Sequence, residues 1–307
     1  MSTTIRYGTG MLLSLLFLLL LCPAAFADDG RAWTWLSSND KYSKFYAPAS
    51  VRVTQSVMPV GKKEAVATEI TADIRTSFSY EGAEETIRNY KIGHVITSPS
   101  QLSYAIAQVR VVPQTRLLQY IGETFYDAAG NVLWSKGVGT EKEMNSQQFD
   151  EEFYAAIVDM VFHQGEMNRL RADDRWILLW TDETVSGIKT QVTADTSTMR
   201  LKGELLFYWE WVTKKDAKGN TLEVQFLKRA LNVPMGTVST KDGKTWTPQA
   251  GWQDLEETDL TFHGIQQGSK EYTGLLRLRT YTAKNLAWLY RASLEPNAER
   301  RLQRDEE

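Results

Sequence analysis

Three histidines, a scatter of carboxylates, two Asp–Gly loops and a run of tryptophans are the residues of this chain with chemistry to offer. His94, His163 and His263 lie far apart, with neither H-x-x-x-H nor H-x-H spacing, and the one cysteine, Cys22, falls in an apolar N-terminal stretch. Without thiolates or spaced imidazoles no zinc site is expected, and no metal-binding or cofactor-binding residue is assigned. The loops in YDAAGNVLWS (126–135) and TKDGKTW (240–246) raise calcium, whose EF-type loops need oxygen ligands at positions 1, 3 and 5. Position 3 is Ala129 in one and Lys244 in the other. Both therefore read as tight hairpin turns, where Asp, Asn and Gly accept the backbone angles required.

Adjacent acids at Glu84–Glu85, Glu151–Glu152 and Glu256–Glu257 point to different sides of a strand or helix and read as solvated faces. A hydrolase would need two acids from distant segments brought roughly 5–10 Å apart in a cleft. No G-x-S-x-G, S-x-x-K, P-loop or dinucleotide fingerprint occurs, so no catalytic residue is assigned. The aromatic content, with ten Trp and thirteen Tyr, is the remaining unusual feature. In the run Phe207–Trp211, taken as a strand, Phe207, Trp209 and Trp211 share one face, with Tyr208 and Glu210 on the other. Trp209 and Trp211 are thus candidate ligand-binding residues, a stacking surface for a sugar ring or a partner's apolar anchor. The competing reading is packing of a sheet against its helix.

The elements that must position these residues begin after the N-terminus. Arg6, the apolar run Met11–Leu21, Pro23 and Ala25-Phe26-Ala27 have the form of a secretory signal peptide over residues 1–27, with cleavage expected between Ala27 and Asp28. The apolar run is about half of the ~20 residues a spanning helix needs, and no second such run follows. Export to the periplasm or cell surface is expected, with no transmembrane span after signal removal. The exported part has no cysteine and hence no disulfide, and a formal charge of −3 gives no basic field to hold nucleic acid.

Residues 28–165 form a first unit. RAWTWLSSND (31–40), YAPASVRVTQSV (46–57) and ATEITADIRTSFSY (67–80) alternate as strands, the last with Ile70, Ala72, Ile74 and Thr76 on one face. LSYAIAQVRVV (102–112) and RLLQYIGETFYD (116–127) follow, separated by a turn at Pro113–Thr115, while residues 81–92 fit either a short helix or a loop. QQFDEEFYAAIVDMVFHQ (147–164) has Phe149, Phe153, Ala156, Ile157, Met160 and Val161 at helical spacing, and acids where the helix dipole favours them.

GEMNRLRADD (165–174) reads as a charged linker into a second unit, residues 166–295. There RWILLWTDE (175–183) opens, 198–215 reads as one apolar strand, DAKGN (216–220) as a turn, 221–233 as a strand and KDGKTW (241–246) as another turn. Residues 269–285 alternate like a strand, but Ser269 as N-cap and Glu271 in the first turn predict a helix. A charged tail, 296–307, closes the chain.

The units run in parallel. Val112-Pro113 faces Val233-Pro234, Asp127…Trp134 faces Asp242…Trp246, and Glu152…Ile157 faces Glu271…Leu276. A duplication is inferred. The expected fold is α+β: two tandem copies of a small antiparallel sheet, each closed by a C-terminal helix.

The order W-x-W…D, YAIAQVRVVP, YDAAGNVLWS, FDEEFYAAIVDMVF over Trp33–Phe162 resembles a group of exported bacterial proteins related to the surface-adhesin protein E domain. The second unit is similar more loosely. Many relatives carry a cysteine pair in the meander that this chain lacks, so features dependent on that disulfide do not transfer. The resemblance implies a small antiparallel sheet under a C-terminal helix and an exported binding or adhesion module, and supplies no catalytic residue. The expected function is non-enzymatic binding of a protein or glycan at the envelope. The alternatives are an envelope hydrolase with scattered acids and a purely structural periplasmic protein. A cleft gathering two carboxylates from different segments would overturn a binding-only reading.

Overall fold

A computed structural model describes residues 30–255 and 260–295. The expected cleavage site Ala27–Asp28, the pair Glu256–Glu257 and the tail 296–307 lie outside the described residues. The chain builds two antiparallel sheets with helices, an α+β architecture. The first has eight strands: β1 (Thr34–Ser38), β2 (Tyr42–Tyr46), β3 (Arg52–Val57), β4 (Val66–Phe78), β5 (Tyr104–Val112), β6 (Leu117–Tyr126), β7 (Val132–Lys136) and β8 (Lys142–Glu143). Their order is β1-β2-β4-β5-β6-β7; β3 shares one flank of β4 with β2, and β8 pairs with the start of β6. Helix α1 (Tyr80–Tyr90) resolves the open choice at residues 81–92. Ser79 caps it, its hydroxyl accepting from Gly82 N at 3.2 Å. Helix α2 (Glu151–Phe162) buries Phe153, Ile157 and Val158 against Ile70, Ile74 and Val109, the inward residues of β4 and β5.

The second sheet is a meander of seven strands: β9 (Trp176–Glu183), β10 (Lys189–Lys202), β11 (Leu205–Lys215), β12 (Thr221–Asn232), β13 (Thr237–Thr247), β14 (Gly251–Asp254) and β15 (His263–Gly264). The stretch 198–215 is not one strand. It turns at Gly203, whose φ of +60° suits glycine, so β10 and β11 form a hairpin. Nor is KDGKTW a turn: it lies in extended backbone inside β13, paired with β12. Gly243 is there for space, because a Cβ would sit 2.7 Å from Leu227 Cδ2 and 2.9 Å from Phe226 O. The counterpart of DAAGN is DAKGN. Asp127 Oδ1 accepts from Ala129 N (2.9 Å) and Asn131 N (2.8 Å), while Oδ2 accepts from Asn131 Nδ2 (2.8 Å). Asp216 makes the same three bonds to Lys218 N and Asn220 at the same distances. Helix α4 (Lys270–Lys284) follows, with Ser269 accepting from Tyr272 N at 3.1 Å, and a short α5 (Leu286–Leu289) is the last helix among the described residues.

The segment read as a linker contains α3 (Glu166–Leu170), and its first residue is the electrostatic centre of the molecule. Glu166 Oε1 accepts from Arg291 Nε at 2.6 Å and Arg200 Nη2 at 3.1 Å; Oε2 accepts from Arg116 Nη1 at 3.2 Å. Burial alone would raise this carboxyl, but the guanidiniums of Arg291, Arg200 and Arg116 outweigh it and hold the pKa at about 2. Beside it, Glu151 binds Arg175 and Arg116, and Arg175 also binds Asp195 at 2.6 Å. Four cations thus meet three anions. Burial, reinforced by the neighbouring Arg200, brings Arg291 down to about 9. The strand β10 supplies further acceptors: its register with β11 breaks between Asp195 and Arg200, and the freed carbonyl of Ser197 takes Arg116 Nη1 (2.9 Å) and Arg291 Nη2 (2.8 Å). Arg116 and Glu151 belong to the first sheet and its helix, and Asp195, Arg200 and Arg291 to the second unit. The network bonds the two together. Among the described residues no helix is long and apolar enough to cross a membrane.

Candidate functional site

A cavity of about 370 Å³ opens beside the first sheet, between α1, the β6–β7 hairpin and the N-terminus of α2. It is built by a local irregularity. Gly122 pairs with Gln108 and Tyr120 with Val109, so Ile121 is left unopposed as a β-bulge. In a regular strand Tyr120 and Glu123 would face opposite ways; the bulge puts both, with Phe125, on the cavity wall. Opposite them, α1 contributes Glu85, Thr86, Asn89 and Tyr90. The position of α1 is set by Gly82, where a Cβ would lie 2.2 Å from Lys41 O.

Two carboxyls from distant segments meet in this cavity. Tyr90 Oη donates to Glu123 Oε2 at 2.7 Å, and Tyr120 Oη donates to Asp150 Oδ1 at 2.7 Å. Asp150 stands at the N-cap of α2 yet makes no capping hydrogen bond; its side chain is turned to Tyr120 instead. That forgoes a cap contact typically worth about 1 kcal/mol, a local rule broken at a site. The second oxygen of each carboxyl has no hydrogen-bond partner among the described residues, and neither acid has an ion-pair partner there. Burial pushes both carboxyls above their usual range. The Tyr90 hydroxyl and lysines 136 and 142 relieve Glu123 only in part, and the charge on Asp150 adds to its rise. Burial likewise raises the Tyr120 phenol, with Asp150 and Glu123 adding to it.

Aromatic rings complete the walls. Tyr90 meets Phe125 edge-on at 5.2 Å, and Tyr42 meets Phe149 edge-on at 5.1 Å. Phe149, predicted on the apolar face of a helix, precedes α2 and is exposed, as is Met160. Lys136 Nζ stands 5.0 Å from the Tyr90 ring centre, so the cavity also carries positive charge at its edge.

Trp209 and Trp211, singled out in the sequence, lie elsewhere. Trp209 is buried, stacked on Phe226 at 4.5 Å, and its indole N–H donates to Glu143 Oε1 of β8 at 3.1 Å. Lys228 bonds the same carboxylate. This tryptophan therefore bridges the two sheets. Trp211 is half-buried, 5.8 Å from the exposed ring of Trp252. The acid pair Glu151–Glu152 is no solvated face: Glu151 is buried in the arginine network, and Glu152 accepts from Ser37, Lys44 and Arg171. His94, His163 and His263 are all exposed. Among the described residues no group of three or more His, Cys, Asp or Glu is placed to hold a metal ion.

Sequence reading missed Tyr90, Tyr120, Glu123 and Asp150. A signal existed for part of the site: Gly122 inside an otherwise regular strand marks a bulge. Nothing local announced that the Asp150 side chain would turn from its helix to Tyr120. Compared with known families, curated proteins and solved structures, the chain matches none.

Proposed function

We propose that the chain is an exported envelope protein that binds a saccharide in the Tyr90–Tyr120–Glu123–Asp150 cavity. The observation that carries this reading is the pair of carboxyl oxygens without a partner, set among aromatic rings. These oxygens open into the cavity, where the hydroxyls of a ligand can donate to them. Lysines 136 and 142 near the pair oppose a cationic ligand, which leaves neutral hydroxyls, and edge-on aromatic walls suit a sugar ring. The secretory leader and the resemblance to surface-adhesin E proteins support placement at the periplasm or cell surface. The two DA-x-GN hairpins support a tandem duplication in which each sheet is closed by its own helix.

The test is calorimetric titration of the purified protein with neutral oligosaccharides of defined linkage, alongside Asp150→Asn and Glu123→Gln. One class is expected to bind saturably, with affinity reduced about tenfold in either variant, since hydrogen bonds to a charged acceptor are roughly twice as strong. Binding unchanged in both folded variants, or no binding of any neutral sugar, would remove the reading.

The carboxyl pair, drawn from different segments, also supports a second reading, glycoside hydrolysis. Catalysis by two acids needs environments that push their pKa values apart, one group ionised and one protonated. Here burial moves both the same way, which favours holding a sugar over cleaving it. Release of reducing ends from a bound oligosaccharide, abolished by Asp150→Asn with binding retained, would reverse that order.

A further inference from the structure

A second cavity, of about 530 Å³, lies between the second sheet and α4. It exists because the helix sits at the sheet's edge. Gly274 lets α4 close onto β9, where a Cβ would stand 3.1 Å from Trp180 Cδ1 and 3.3 Å from Leu179 Cβ. Over the central strands β11 and β12 the helix reaches only through side chains such as Leu275 and Leu278. The aliphatic residues of these strands, among them Val212, Leu227 and Leu231, line the space with Leu278 from α4. Exposed Gln266 and Glu271 stand at its rim.

The floor carries charge. Tyr208 and Glu210 share a face of β11, and Arg229 is the register partner of Tyr208 on β12. Arg229 Nε lies 3.1 Å from Glu210 Oε1, off the line of its own N–H, so the contact is an ion pair and not an aligned hydrogen bond. Glu210 is buried. Arg229 also donates to Thr240 Oγ1 through Nη1, and the Tyr208 hydroxyl stands beside both members of the pair, so the floor is a polar spot that stays satisfied in aliphatic surroundings. The space opens to solvent at that rim, and water against its aliphatic walls is released when an apolar body enters. Covering the aliphatic walls is therefore favourable, and the polar floor fixes where a head group lies.

We infer that this cavity binds a neutral amphiphile, its apolar body against the aliphatic walls and one uncharged hydroxyl or amide head at the Glu210–Arg229 pair. The charges of the pair balance. A carboxylate or ammonium head would bring an uncompensated charge into a low-dielectric site, whereas a hydroxyl or amide both donates and accepts.

The test uses the purified protein and displacement of the fluorescent probe N-phenyl-1-naphthylamine by decanamide, decanoate and decylammonium. Decanamide should displace the probe at a concentration about tenfold below that of either ion. Glu210→Gln should then invert the ranking: Arg229 is left unbalanced, and decanoate becomes the strongest competitor. Leu278→Trp, checked for folding by circular dichroism, should fill the space and abolish displacement. Absence of saturable probe binding overturns the inference. So does equal displacement by the three head groups in the unaltered protein, a result that needs no variant to fold.

Discussion

Asp150 and Glu123 are where residue chemistry and stability pull in opposite directions. Burial raises both carboxyls, so the folded state prefers them protonated. For an acid whose folded pKa lies above its unfolded value, the stabilisation is complete below the unfolded pKa and is lost as pH rises through the folded one. The unliganded protein should therefore lose stability as pH climbs from the ordinary carboxylate range through that raised window. Glu123→Gln or Asp150→Asn should remove that loss and raise the melting temperature at neutral pH by roughly 2–4 °C. Sugar binding should move the other way, strengthening across the same window as the acceptors ionise. Scanning calorimetry and titration at matched pH values check both slopes; a variant that is less stable at neutral pH than the parent would show that these acids are structural. Such a trade of stability for a binding group is expected of a functional site. The four residues at its centre were hard to read because the side-chain direction of Tyr120 depends on a bulge, and that of Asp150 on a partner some thirty positions earlier. Composition and periodicity carry neither fact.

Elements were more legible than sites. The long alternations over β4, β5 and β6 and the periodicity of α2 appear where their patterns place them. So does α4, where Ser269 and Glu271 decided correctly against an alternating surface pattern. Failures came where turn chemistry was ambiguous. KDGKTW contains the residues of a turn but is pinned in a strand by its neighbours, Gly243 giving room to Leu227. The Gly203 hairpin passed unseen inside an apolar run. At this scale α1 is the element to perturb. Gly82→Ala would gain up to about 1 kcal/mol of helix propensity, yet the added methyl meets a backbone oxygen that no rotamer change can move aside. Overpacking of this kind costs on the order of 1–3 kcal/mol. The expected net result is a less stable protein, because the contact at 2.2 Å is with main chain. Since α1 carries Tyr90, its displacement should also weaken sugar binding. Denaturant titration with calorimetry decides; a Gly82→Ala protein of unchanged midpoint and affinity would show that α1 can shift without disturbing the cavity.

The whole molecule is governed by a segment that looked like a linker. Charged residues in GEMNRLRADD suggest solvent, but Glu166 is paired with more cations than any other anion among the described residues, shared by Arg116, Arg200 and Arg291. Its partners lie 34 to 125 positions away, beyond the reach of any local pattern. Removing one member of a buried ionic cluster leaves uncompensated charge, at a cost of about 3–5 kcal/mol. Glu166→Gln leaves four guanidiniums facing two carboxylates, so a loss at the upper end is expected. Because the network ties both sheets together, the parent protein should melt in one transition, and Glu166→Gln should split it into two as the sheets lose their common anchor. Acid should mimic the substitution. A carboxyl held at about 2 contributes stability that is full above its ordinary value near 4.5 and falls away as pH drops from there toward 2. Calorimetric scans of the parent through that range should show the single peak broadening and dividing. The same scans on Glu166→Gln should show two peaks at neutral pH and little further acid dependence from this site. A single sharp transition persisting in the variant would mean that Trp209, stacked on Phe226 and bonded to Glu143, and not the arginine cluster, carries the coupling between the sheets.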